Sequence, residues 1–170
     1  MAAALLARPV AHYIRRKRDS LTGDGSGLSG NSKLLLSDYF SSLDLDRARI
    51  VEVSTLPLPV PLFSHAVRLI GIDIPDPSLI AGITFDHVIA VREPMGTAML
   101  FHELVHVVQF RLLGVEAFAR LYACGLFSTA RYEDIPLEQC AYQLEARFEL
   151  GPAPFSVENE VSRWMERGLF

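Results

Sequence analysis

His102 and His106, with Glu103 between them, are the residues of this 170-residue chain best spaced to do chemistry. On a helix turning about 100° per residue, the two imidazoles sit roughly 40° apart, one turn above the other. Both can then reach one tetrahedral metal ion, and the pair suits zinc, with bonds of about 2.0–2.1 Å. Glu103 follows the first histidine, so it points beside the metal rather than at it. There it can take a proton from water that the metal activates. Gln109 falls about 20° from His102 by the same rotation and can support a ligand from behind.

The helix that must carry these groups is apolar almost all round, with Leu100, Phe101, Leu104, Val105, Val107 and Val108 among them. Such a helix is largely buried. Burying two histidines and a carboxylate costs free energy unless they are paired or ligate a metal. A third protein ligand is then required. The metzincin extension, with a glycine and a third histidine downstream, is excluded because Gln109 and Leu112 stand there. Glu138, in the run IPLEQCAY, is the leading candidate, in the first turn of a helix that Pro136 opens. The helix dipole alone also favours an acidic residue at that place. Glu145 is the alternative, with Glu149 further along and Glu133 and Asp134 just before the helix. His65 and His87 read as a short-helix surface residue and a turn residue. Tyr142, one turn after Glu138, either packs in the core, contacts the ligand carboxylate or donates to a reacting oxyanion.

The elements that position this site follow from periodicity and punctuation. Residues 33–44 read as a first helix and 48–53 (ARIVEV) as a strand. Prolines alternate through 55–61, which predicts an extended surface loop. Ser64 can cap a short helix that Gly71 ends, and Pro75 and Pro77 mark a further loop. Residues 82–91 (GITFDHVIAV) predict a tight hairpin turning at Asp86-His87, both tolerant of positive φ. Helices are expected over 97–113, ended by Gly114, over 115–124, over 136–150 and after Ser156. The expected class is α+β: a small antiparallel sheet packed on the histidine helix, with a mostly helical C-terminal half.

Composition narrows the rest. The net charge of −4 argues against a dedicated nucleic-acid binder. Residues 1–32 nonetheless carry a net +3 and the remainder −7. Residues 1–18 have no acidic group, and the charge follows the apolar stretch instead of preceding it, unlike a secretory signal. Pro9 is expected to break any helix there. A flexible basic tail is the leading reading, beside a weak membrane-surface or partner-binding segment and a cleaved organelle-type presequence. Residues 19–32 (DSLTGDGSGLSGNS) have linker composition, so the expected division is a tail over 1–32 and one domain over 33–170. Cys124 and Cys140 read as buried free thiols, and the longest apolar runs are too short to span a bilayer, which together suggest a cytoplasmic protein.

HELVHVVQ, followed by Leu113-Gly114 and a second helix with IPLEQxAY, resembles bacterial zincin-like metallopeptidases. Among these it is most similar to the metallopeptidase-like core domain associated with extracellular contractile injection systems, whose hairpin also looks like GITFDHVIAV. The resemblance covers roughly residues 80–146. The wider gluzincin pattern, HExxH followed by ExxA, matches Glu138 and Ala141, whereas Tyr142 stands where many gluzincins carry aspartate. The resemblance implies a zinc-dependent peptidase with His102, His106 and Glu138 as ligands, Glu103 as catalyst and a peptide or protein as substrate. The alternative reading is an inactive zincin-fold protein that serves as a metal-stabilised interaction module. A metal-free helical domain with a coincidental motif is the remaining rival.

Overall fold

A computed structural model describes residues 2–58, 80–129, 131–151 and 153–170. The expected helix from Ser64 to Gly71, the loop at Pro75 and Pro77, and His65 lie outside the described residues. The chain is α+β. Its helices are α1 (Ala2–Leu21), α2 (Gly30–Leu36), α3 (Ser42–Arg47), α4 (Thr97–Ser128), α5 (Pro136–Glu149) and α6 (Val157–Glu166). Its strands are β1 (Ser26–Gly27), β2 (Arg49–Glu52), β3 (Gly82–Phe85) and β4 (Val88–Val91).

The strand order is β1-β2-β4-β3. β3 and β4 form the expected hairpin, with Asp86 at φ 60° in its turn. Arg47 and Arg18 both pair with the Asp86 carboxylate, at 2.6 Å and 3.2 Å. The sheet is mixed and not antiparallel as expected, because β4 lies parallel to β2. The long connection between β2 and β3 makes that possible, since a parallel crossover needs a dozen or more residues.

All four residues of β4 (VIAV) are buried, so both faces of the sheet are covered. Ile89 and Val91 face the first half of α4, packing with Leu100, Phe101 and Leu104. Ala90 and Phe85 face the other way and pack with Val10, Ala11 and Ile14 of α1. This overturns the expected tail. Residues 2–21 form a continuous helix laid against α4 and the hairpin. It runs through Pro9, whose ring is exposed. A proline inside a helix costs about 3 kcal/mol. The burial of Val10, Ala11 and Ile14 beyond it offsets that cost. The expected linker is also ordered. Ser26 and Gly27 extend the sheet opposite Ile50 and Arg49, and the Ser29 hydroxyl caps α2 by accepting from the Ser32 amide. The boundary at residue 33 therefore does not separate a tail from a domain.

α4 carries the break expected at Gly114, whose φ of 76° and ψ of 158° a side chain would disfavour. The two halves fold onto each other there, with the Phe110 and Phe118 rings stacked 3.7 Å apart. α4 is long and apolar enough to cross a membrane, contrary to the estimate from apolar runs. However, 67% of its most apolar window is buried inside the fold, as in a core helix. Phe101 stacks on Phe148 of α5 at 4.5 Å, and Tyr39, Phe40 and Phe155 surround it edge-on. This aromatic cluster holds α5 and the segment entering α6 against the histidine helix. Of the two cysteines, Cys140 is buried as expected, but Cys124 is exposed.

Candidate metal centre

His102, Glu103 and His106 lie on the buried first half of α4, and Glu138 lies in the first turn of α5. Pro136 starts α5, and Leu137, Cys140 and Ala141 bury its inner face completely. The Gln109 side-chain amide donates to the Leu137 carbonyl at 3.0 Å, which pins the start of α5 to α4. Two helices distant in sequence are thereby held so that three donor groups meet.

His102 Nε2 and His106 Nε2 are 3.2 Å apart. Glu138 Oε2 lies 3.5 Å from the first and 3.3 Å from the second. A tetrahedral zinc with bonds of about 2.0–2.1 Å spaces its ligand atoms about 3.3–3.4 Å apart. The three edges here match that spacing. The outer ring nitrogens fix the tautomers. His106 Nδ1 donates to Gln109 Oε1 at 2.9 Å, and His102 Nδ1 donates to Glu145 Oε2 at 3.0 Å. With a proton on each Nδ1, each neutral ring turns an Nε2 lone pair inward. Two nitrogen lone pairs and one carboxylate oxygen then converge on one point, an arrangement that a cation satisfies.

The electrostatics point the same way. Burial opposes charge on His102, but hydrogen bonds to Glu138 and Glu145 and the charges of Glu103 and Glu138 outweigh it, raising its pKa to about 10. Burial likewise opposes charge on His106, and the Glu138 carboxylate again prevails. Burial would push Glu138 up, yet His106 and His102 hold it well below the usual carboxylate range. The pocket thus calls for positive charge among these three side chains. Two imidazolium rings with Nε2 atoms in contact would repel each other. A divalent cation supplies that charge at one point.

Glu103 is buried beside these three side chains and belongs to the sheet side of the site. The Thr84 hydroxyl on β3 donates to Glu103 Oε2 at 2.6 Å. Gly82, on the same face of β3, leaves room for the other oxygen: a Cβ there would stand 3.0 Å from Glu103 Oε1. The Tyr142 ring lies 4.6 Å from the His102 ring and is 41% exposed, so it stands at the rim and not in the core. Burial and then the charges of Glu138, Glu133, Glu145 and Glu103 push its hydroxyl up to about 12.

The structure brings together His102, Glu103, His106, Glu138 and Tyr142. Glu145 does not join the inner cluster; it serves the back of His102. Glu133 instead pairs with Arg131 at 3.3 Å. His87 remains a turn residue beside Asp86. Sequence reasoning missed Thr84 and Tyr132, whose hydroxyl donates to Glu138 Oε1 at 2.6 Å. A signal existed for the first: Thr84 is the one hydroxyl in the strand GITF, two residues from a glycine on the same face. In comparisons with protein-family models, curated proteins and solved structures, no match was found.

Proposed function

We propose that this chain is a zinc-dependent peptidase with a zincin-like fold, hydrolysing peptide bonds. His102, His106 and Glu138 would hold the ion and Glu103 would act as general base. The observation that carries the reading is the convergence of three buried donor atoms, each within 4.8 Å of the others, beside a fourth buried carboxylate. A zinc ion held there would polarise a substrate carbonyl and make water acidic enough to attack it.

The chain's own residues supply the remaining work. With Thr84 donating to Oε2, Glu103 keeps Oε1 free to take a proton from the attacking water and pass it to the leaving amine. The Tyr142 hydroxyl stays protonated through neutral pH and can donate to the oxyanion that forms. Among the described residues β3 is an edge strand of the sheet, and it carries Thr84, so an extended peptide adding to that edge would run past Glu103. The resemblance of the HELVHVVQ and IPLEQxAY segments to zincin-like metallopeptidases favours the same chemistry. An exposed free thiol at Cys124 suits a reducing, cytoplasmic setting.

The test is cleavage of a mixed peptide library by zinc-loaded protein, followed by mass spectrometry. Wild-type protein is expected to cut, and Glu103→Gln to lose about 10²–10⁴-fold in rate while retaining its zinc. Intact peptides beside fully zinc-loaded wild-type protein would overturn the peptidase reading in favour of a structural metal.

A further inference from the structure

Glu138 has two oxygens, and the fold treats them differently. Oε2 faces both histidines. Oε1 accepts a 2.6 Å hydrogen bond from Tyr132, in the short turn Tyr132–Asp134 just before α5. The Tyr132 ring stands edge-on to Tyr122 of α4, with centroids 6.4 Å apart, and both side chains are half-buried. A carboxylate oxygen only accepts, so Tyr132 is the donor of this bond. A carboxylate can bind a metal through one oxygen or two. With Oε1 held by the phenol and Oε2 facing both histidines, Glu138 presents one oxygen to the ion.

We infer that Tyr132 is a positioning residue that restricts Glu138 to one-oxygen ligation and so keeps a coordination position open for the reactants. The inference rests on the metal reading of the previous section and goes one step further. Among the described residues only His102, His106 and Glu138 converge on the point. Three donor atoms leave a tetrahedral ion one open position, the mark of a catalytic and not a structural site. If Oε1 swung inward it would fill that position.

The experiment titrates cobalt(II) alone into metal-free wild-type protein and Tyr132→Phe, following visible absorption and circular dichroism. Wild-type protein is expected to give the intense visible bands of four-coordinate cobalt. Tyr132→Phe should keep its helical signal, bind cobalt roughly 10–100-fold more weakly and show the weaker bands of higher coordination. Bound cobalt with the same spectrum in both proteins would overturn this inference and leave the metal site standing. No cobalt bound by wild-type protein would overturn the metal reading and this inference with it. X-ray absorption of zinc-loaded wild-type protein needs no variant. A carboxylate carbon at the short distance of two-oxygen binding would overturn the inference even if Tyr132→Phe failed to fold.

Discussion

The two faces of the small sheet are put to different uses. The face toward α4 carries Ile89 and Val91, but also Gly82 and the Thr84 hydroxyl, set against the buried carboxylate of Glu103. The face toward α1 is closed by Phe85, Ala90, Val10, Ala11 and Ile14, with an ion pair at its rim where Arg18 meets Asp86. Burying ionisable groups destabilises a fold unless each is paired. Burying apolar side chains stabilises it by roughly 1.5–3 kcal/mol per large residue. One face thus bears the candidate site, and the other supplies stability that lets the first be polar.

This division can be broken most severely by removing residues 1–21. The account expects loss of the whole fold, because the apolar face with Phe85 and Ala90 would then meet water. Circular dichroism and light scattering of the truncated chain would read this out, and a well-folded soluble product would contradict it. A gentler cut at the same face is Ile14→Ala. It should cost about 2–5 kcal/mol in denaturant unfolding and leave the bound metal per chain unchanged. On the opposite face Thr84→Val should cut turnover roughly 10–100-fold, because Glu103 loses the hydroxyl that fixes it. It should also cost about 1–3 kcal/mol of stability, because the buried carboxylate loses that partner. The smallest effect is expected at the rim. Arg18→Ala should change stability by about 1 kcal/mol or less, because the guanidinium is partly solvated and Arg47 still pairs with Asp86.

The chemical face was the more legible in sequence, and the reason is range. His102 and His106 are one helical turn apart, so their alignment follows from local geometry alone. The hairpin at 82–91, the break at Gly114 and the start of α5 at Pro136 are likewise decided by one or two residues each. Glu138 was within reach because its helix start is punctuated. Choosing it over Glu145 needed the packing of α5 on α4, which no local pattern carries. Tyr132 lies in a turn whose only hint was nearness to Glu138.

α1 was hidden for a different reason. Its basic charge and Pro9 describe the exposed side of the helix, and Val10, Ala11 and Ile14 have no meaning until a surface is found for them. That surface was announced elsewhere in the chain. A strand reading VIAV, apolar at every position, must be covered on both faces, and α4 can cover only one. The mixed sheet was missed because a hairpin implies an antiparallel pair and says nothing about which of its strands docks on β2.

The most direct test of the central claim is the zinc content of purified protein by elemental mass spectrometry, with Glu138→Ala measured beside it. The account predicts about one zinc per chain in wild-type protein and a large loss in the variant, with the helical signal of both unchanged. Wild-type protein that takes up no zinc at neutral pH, or a variant that keeps it all, would contradict the account.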